Sequence, residues 1–206
     1  IEKNWLTLKA VIGIFKANSK GDDIDLLNED GNKIITYNYL RQQSKKTGSN
    51  ICLADFVAPY SSKRQDYVGS FVCTAGLDIE KQISVFDQDN DDYNSIMLKA
   101  LADRLAEALT EYTHEKVRKE IWGYSSLEDF ANEDLIQEKY QGIRPAPGYT
   151  ACPDHTEKRK IFNILNAEEN IGVELTENMA MLPNATVSGY YFAHPQIKYF
   201  TVGKIQ

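Results

Sequence analysis

A short segment of the chain, residues 144–158 (RPAPGYTACPDHTEK), carries residue types that suit a ligand-binding loop. Two prolines fix backbone φ angles and bias Arg144 and Ala146, which precede them, towards extended backbone, so the loop loses little entropy on binding. Gly148 permits a backbone angle that other residues resist, or lets a ligand approach the main chain closely. The planar fork of Arg144 suits a carboxylate or a phosphate. The segment predicts an anion-binding loop; the alternative is a structural crossover whose arginine pairs with a neighbouring acid.

The same segment contains a thiol and an imidazole at the spacing Cys-x-x-His, formed by Cys152 and His155. Pro153, followed by acidic residues, is typical of a first helical turn, where an imidazole could activate a cysteine as a nucleophile. A zinc site typically needs three or four ligands, and His114 and His194 stand at no recognisable ligand spacing from this pair. We expect a structural role at the helix start, with no catalytic residue and no metal site.

The first half of the chain shows the short apolar runs and turn residues of an antiparallel sheet. Residues 24–27 and 33–37 flank the turn sequence Glu29-Asp30-Gly31-Asn32, which is typical of a hairpin. The other predicted strands cover residues 11–15, 51–57 and 67–74, with turn chemistry at residues 18–23.

The middle of the chain changes to the spacing of a long amphipathic helix, from Asp91 to Trp122. Glu107 lies beside the apolar stripe of this helix. Its carboxylate is expected either to point into a partly covered cleft or to pair with Arg104 on the surface. The residues predicted to form the apolar face are Tyr93, Met97, Leu101, Leu105, Ala108 and Tyr112.

Two shorter helices and a closing hairpin complete the predicted order of elements. The helices cover residues 132–140, ended by Gly142, and residues 153–166, and the hairpin pairs residues 186–192 with residues 198–205. Strands first, helices in the middle and a hairpin at the end predict an α+β fold: a largely antiparallel sheet with helices packed against it. We expect one compact domain over residues 1–206, with a C-shaped outline as its alternative form.

Composition and charge exclude several classes of function. No apolar run approaches the ~20 residues that a membrane helix needs. The net charge of -7 opposes general nucleic-acid binding, which depends on a basic surface. Neither a Rossmann fingerprint nor a Walker loop occurs. The basic clusters at residues 116–119 and 158–160 either meet an acidic partner or offset helix dipoles.

The cysteine count indicates the compartment. Three cysteines are an odd number, which fits a reducing cytoplasm better than a disulfide scaffold. The sequence begins at Ile1 without a methionine and ends within a strand-like pattern, so we expect it to be a fragment of a larger protein.

Long ordered motifs resemble one known family. The run from Gly142 to Tyr149, followed by Ala151-Cys152-Pro153 and His155-Thr156-Glu157-Lys158, resembles the signature loop of the C-terminal activation domain of cobalamin-dependent methionine synthase. The resemblance covers nearly the whole chain. Further similar stretches are residues 53–59 (LADFVAP), 91–94 (DDYN), 99–108 (KALADRLAEA) and 188–192 (SGYYF), with His194-Pro195.

The resemblance implies a binding site for S-adenosylmethionine in the loop. Arg144 is expected to take the ligand carboxylate. The backbone of Ala146, Gly148 and Tyr149 is expected to contact the adenosyl part. These roles come from the family pattern and not from the composition of the loop.

Three further positions complete the implied site. Glu107 matches the family position that helps to hold the amino end of the ligand, and Tyr199 matches a tyrosine of the family site. Phe200 stands where the family often has a second tyrosine, so a hydroxyl contact is lost and a ring or main-chain contact remains. The family also has an acidic ligand contact in an Asp-Trp segment upstream, at a position that this sequence does not include.

The family's function gives the first hypothesis for this chain. Such a domain binds S-adenosylmethionine and presents its methyl group for reductive methylation of cob(II)alamin, supporting methyl transfer from 5-methyltetrahydrofolate to homocysteine. The implied partners are the cobalamin-binding domain of the same enzyme and flavodoxin or a flavodoxin-like reductase, while cobalamin and zinc belong to other domains. The fragment alone is expected to bind without turnover.

Two other hypotheses use the same sequence differently. The chain could be an interaction module that docks flavodoxin or the cobalamin domain without binding S-adenosylmethionine. More remotely, it could be a small cysteine enzyme that uses Cys152 as its nucleophile.

Overall fold

The computed structural model describes residues 5–43 and 47–203. Its centre is a five-stranded sheet in which every neighbouring pair is antiparallel. The sheet contains β1 (Thr7–Lys20), β2 (Asp23–Leu27), β3 (Lys33–Asn38), β4 (Asp66–Leu77) and β7 (Thr186–Tyr191), in the order β3-β2-β1-β4-β7. A separate two-stranded ladder joins β5 (Glu174–Leu175) and β6 (Met181–Leu182).

Helices cover both faces of the sheet. They are α1 (Ile79–Gln88), α2 (Asp92–Lys116), α3 (Asn132–Ile136), α4 (Glu157–Leu165) and α5 (Ala167–Ile171). A π-helical turn, Val117–Ile121, extends α2, and short 3₁₀ helices lie at Leu53–Phe56 and Tyr60–Ser62. Within the described residues, no helix has the length and apolar character needed to cross a membrane.

Strand β4 shows why the sheet is covered on both faces. Successive side chains of a strand point to opposite faces, and β4 is apolar on each. Val68 and Val72 join the main core together with Ile161 of α4. Phe71 and Cys73 point to the other face, against α2 and the π-helical turn. These two faces make one α+β domain, as the sequence predicted.

The sequence predicted the wrong buried face for the long helix. Tyr93, Met97, Leu101 and Tyr112 are exposed along α2. The buried face consists of Ser95, Leu98, Ala102, Ala106, Thr110, Thr113 and His114. Small side chains let the helix backbone approach α1 and β4 closely, so shape rather than hydrophobicity selects this face. Helix α1 was not predicted, and α2 ends before Trp122, although the π-helical turn continues it.

Two predicted strands are also wrong. Residues 53–56 form a 3₁₀ helix because the carboxylate of Asp55 accepts from the Cys52 backbone N–H at 2.9 Å and pairs with Arg41. Residues 198–203 are not a strand, and residues 204–205 of that prediction lie outside the described chain. The backbone N–H of Val202 donates to the Thr150 carbonyl at 2.9 Å, so this segment packs beside the loop that follows Arg144.

The remaining helix predictions hold in shorter form. The stretch predicted as residues 132–140 is helical only over Asn132–Ile136. The stretch predicted as residues 153–166 is helical over Glu157–Leu165 and ends at Asn166, which adopts a left-handed backbone with φ 44°. Helix α5, which follows, was not predicted.

Gly189 in β7 connects the sheet to the candidate binding loop. An added Cβ there would lie 2.6 Å from the Pro145 carbonyl oxygen and 3.0 Å from the Phe71 ring. The neighbouring Tyr190 N–H donates to that same carbonyl at 2.9 Å. Only glycine therefore allows the loop to lie this close to the strand.

We predict that Gly189→Ala lowers the free energy of unfolding by about 1–3 kcal/mol through overpacking. It should also reduce hydrogen-exchange protection of the Tyr190 amide. Gly31→Ala is the control for overpacking: its positive φ makes alanine unfavourable too, but no atom lies near its absent Cβ, so the Tyr190 amide should keep its protection there. Urea denaturation and amide exchange of both variants measure these effects. Unchanged protection of the Tyr190 amide in Gly189→Ala would contradict the prediction.

Candidate functional site

A cavity of about 540 Å³ lies between α2, the loop after Gly142, and β7, on the face of the sheet that α2 covers. Glu107, Thr110 and Glu111 enter it from one face of α2, since residues three and four apart are neighbours on a helix. The other lining residues are Arg144, Pro145, Ala146, Tyr149, Thr150, Ala151, Val187 and Tyr199. Five of the seven predicted site residues therefore lie around one cavity: Glu107, Arg144, Ala146, Tyr149 and Tyr199.

The backbone of the loop is held on the free edge of β7. Ile143 and Phe192 exchange two backbone hydrogen bonds of 3.0 Å each, and the Pro145 carbonyl accepts from the Tyr190 N–H at 2.9 Å. The Arg144 N–H donates to the Tyr199 hydroxyl at 3.1 Å. The loop thus continues the sheet, and Arg144 starts from a fixed backbone.

The guanidinium of Arg144 is fixed as firmly as its backbone. Its Nη1 donates to the Tyr140 hydroxyl at 2.7 Å and to His114 Nδ1 at 3.3 Å. Its Nη2 lies 2.6 Å from Glu111 Oε2, in an ion pair whose two side chains are 21% and 31% exposed. Within the described residues, Nε of Arg144 has no hydrogen-bond partner, so a donor edge remains for a ligand.

His114 must be neutral for this arrangement. It is fully buried, and burial, followed by the charges of Arg118 and Arg144, holds its pKa well below the ordinary value. Because its Nδ1 accepts from Arg144, its proton lies on Nε2, which is 3.3 Å from the Tyr124 hydroxyl. The ring also stacks on Tyr191 with a centroid distance of 5.1 Å.

Gly148 and Phe200 lie apart from the main cavity. Gly148 has φ +96°, and its missing Cβ would lie 2.1 Å from the His155 ring, so both backbone angle and space require glycine. It lines a neighbouring cavity of about 360 Å³ that shares Ala146, Tyr149 and Val187 with the first. Phe200 is half-buried and packs against the main core.

Glu107 takes the surface arrangement predicted for its carboxylate and also belongs to the cavity lining. It is exposed and pairs with Arg104 at 2.7 Å on the helix surface, yet it also lines the cavity. The carboxylate that directly contacts Arg144 belongs instead to Glu111. Sequence reasoning missed Glu111, although its position one helical turn after Glu107 is the signal that could have found it.

The Cys152 thiol is unsuited to nucleophilic attack. It is 2% exposed, and burial, followed by the nearby carboxylates of Glu157 and Asp154, raises its pKa to about 12. A thiolate is the reactive form, so this environment opposes the cysteine-enzyme hypothesis. Among residues 5–43 and 47–203, no three His, Cys, Asp or Glu side chains are grouped to hold a metal ion.

Comparison with known proteins decides the family. Residues 1–206 match the family described as vitamin B12 dependent methionine synthase, activation domain. The chain belongs to this family. The crystal structure of the MetH reactivation domain bound to AdoHcy is 52% identical in sequence and has a TM-score of 0.96 to this chain. The match covers 99% of this chain and 64% of that one, so the chain spans just under two thirds of that relative. The resemblance and the fold class predicted from sequence are confirmed.

We predict that the stability of the domain falls as the pH drops below about 6.5, the ordinary pKa of histidine. The unfolded chain binds a proton at His114 that the native state resists, so in this window the unfolded state gains protons and the free energy of unfolding decreases. The slope from this one group is at most ~1.4 kcal/mol per pH unit.

Urea denaturation from about pH 7.5 to about pH 5.5 would measure this dependence. His114→Gln is the matched variant, because it keeps a side-chain acceptor and leaves His155 and His194 in place. The wild type should lose more stability than the variant over this range. Equal slopes would show that His114 is not a buried neutral group.

Proposed function

We propose that this activation domain binds S-adenosylmethionine in the cavity beside Arg144 and presents the methyl group for reductive methylation of cob(II)alamin in methionine synthase. The observation that carries the proposal is the free donor edge of a half-buried, rigidly held arginine at the wall of this cavity. The related reactivation domain with AdoHcy bound supports it. AdoHcy is what remains of S-adenosylmethionine after the methyl group has left.

The volume and charge of the cavity suit this ligand. A cavity of about 540 Å³ lies within the range of ordinary small-molecule sites. Its charged lining residues are Arg144, Glu107 and Glu111. The ligand carries a carboxylate, which Arg144 can attract, and two cationic groups, an ammonium and a sulfonium. Glu107 and Glu111 each already pair with an arginine, yet they place negative charge at the cavity wall on the side that the cationic groups can face.

Each predicted site residue has a role in the proposal. The Arg144 fork takes the carboxylate, and Glu107 helps to hold the amino end. The backbone of Ala146, Gly148 and Tyr149 contacts the adenosyl part, and Tyr149, 72% exposed, also offers its ring at the mouth of the cavity. Tyr199 acts mainly through its bond to the Arg144 backbone, and Phe200 supports this segment from the core side.

The domain contributes orientation to the reaction and no acid or base. The sulfonium already activates the methyl carbon, so the residues of this chain need only fix the ligand with that carbon directed outwards. Reduced cobalamin, held by a neighbouring domain, supplies the nucleophile. We therefore expect the domain alone to bind S-adenosylmethionine without turning it over.

The remaining parts of the proposal concern the larger enzyme. Residues 1–206 form the ligand-binding portion of the domain, while the cobalamin, folate, homocysteine and zinc sites belong elsewhere in methionine synthase. The partners are the cobalamin-binding domain and flavodoxin or a flavodoxin-like reductase, which supplies the electron. Three free, buried cysteines support a reducing compartment, the cytoplasm.

The docking hypothesis has one observation in its favour. The outward side of α2 exposes the large apolar side chains of Tyr93, Ile96 and Leu101, and a contiguous exposed apolar patch can mark a protein interaction site. Docking and ligand binding are compatible. If the domain docked its partners without binding S-adenosylmethionine, docking would be its only function.

We predict that Arg144→Ala weakens S-adenosylmethionine binding about 10- to 150-fold, because a lost charge-assisted hydrogen bond costs roughly 1.5 to 3 kcal/mol. Arg144→Lys should recover only part of this loss, since an ammonium cannot reproduce the fork. Isothermal titration calorimetry would measure the dissociation constants, with Arg64→Ala, an exposed arginine outside the cavity lining, as the control. Wild-type affinity in folded Arg144→Ala would refute the assignment.

A further inference from the structure

Two aromatic side chains, Tyr140 and His114, converge on one nitrogen of Arg144. Both accept from Nη1, at 2.7 Å and 3.3 Å. His114 is fully buried and Tyr140 is 6% exposed, and their rings meet edge to face with centroids 5.1 Å apart. Nη1 is therefore turned away from the cavity and its two hydrogens are used within the protein.

The rest of the guanidinium is left with a defined orientation. Nη2 is ion-paired with Glu111, and Nε, which has no hydrogen-bond partner within the described residues, lies beside Nη2 on one edge of the plane. Arg41 shows what this edge can do, since its Nε and Nη2 both donate to Asp22 Oδ1, at 2.9 Å and 2.6 Å. A ligand carboxylate can occupy the same edge of Arg144.

Tyr140 is itself fixed from behind. The guanidinium carbon of Arg118 lies 4.1 Å from the centroid of its ring, a cation–π contact. Arg118 is fully buried, and its Nε donates to both carboxylate oxygens of Glu128, at 2.8 Å and 3.0 Å. The Tyr140 ring is thus held between two arginines, so its hydroxyl has little freedom to follow Arg144 if the latter moves.

We infer that Tyr140 and His114 are positioning residues, which set the orientation of Arg144 and thereby the preference of the site for a ligand that carries a carboxylate. The inference rests on the proposed function, because it assigns the Nε edge of Arg144 to the carboxylate of S-adenosylmethionine. Neither residue touches the ligand in this account. Both act through Arg144.

A purely structural role would give a different result from a positioning role. Loss of a positioning contact should weaken only the interaction with the carboxylate. Loss of a structural contact should weaken every ligand equally, or lower stability with no change in selectivity. The ratio of the dissociation constants of decarboxylated S-adenosylmethionine and S-adenosylmethionine isolates the carboxylate, because both ligands share the adenosyl, sulfonium and ammonium groups.

The experiment measures this ratio by calorimetry in Tyr140→Phe and, separately, in His114→Phe. Each variant keeps a ring and removes one acceptor from Nη1, so either one tests the inference if the other does not fold. Tyr37→Phe is the matched control, since it removes a buried hydroxyl that bonds to Ser70 at 2.8 Å away from Arg144.

We expect the ratio to fall about 2- to 12-fold in each folded variant, the loss of one ordinary hydrogen bond. It should stay at the wild-type value in Tyr37→Phe. An unchanged ratio in a folded variant, or an equal loss of affinity for both ligands, would overturn the inference and leave the proposed function intact. A wild-type domain that does not bind S-adenosylmethionine would overturn both.

Discussion

The attachment of the Arg144 loop to the free edge of β7 is the contact on which the candidate site depends. Strand β7 is the last strand of the sheet, and β4 pairs with only one of its edges. An unpaired edge leaves backbone groups that must find partners. The loop provides them through Ile143 and the Pro145 carbonyl. Proline cannot donate a hydrogen bond but can accept one, so its place at this edge is consistent with its chemistry.

The position of the loop also requires that the buried charges beneath it be balanced. Arg144 and Arg118 both lie close to His114 and Tyr140, in a region with little access to water. Glu111 and Glu128 each balance one guanidinium, and His114 remains uncharged. A buried cation without a partner is strongly unfavourable, so the two acidic partners are needed for the arginines to lie here at all. The free Nε edge of Arg144 therefore belongs to a charge that is already balanced and held in place.

Local sequence signals were sufficient for part of this structure. The β2–β3 hairpin follows from its turn residues, and the irregular backbone of residues 144–151 follows from their prolines and glycine. The buried face of α2 could not be predicted from apolar spacing. The helix buries alanine, serine and threonine, because close approach matters more there than hydrophobicity.

The residues that hold the Arg144 guanidinium, Tyr140 and His114, could not be predicted from local sequence signals either. Tyr140 lies 4 residues before Arg144, but His114 lies 30 residues before it, on α2. No spacing rule relates a side chain on α2 to one in the segment before the loop. Their role arises only when the fold places both against one nitrogen. The predicted strand at residues 198–205 failed for a related reason, since the loop already occupies the edge of β7 that a hairpin would need.

The most direct test of the account is a crystal structure of this domain with S-adenosylmethionine or AdoHcy bound. The ligand carboxylate should lie on the Nε and Nη2 edge of Arg144, at the ~2.7–2.9 Å of a charge-assisted hydrogen bond. Tyr140 and His114 should also keep their contacts with Nη1. A ligand whose carboxylate lies elsewhere, with the Nε edge of Arg144 still open to water, would contradict the role assigned to Arg144.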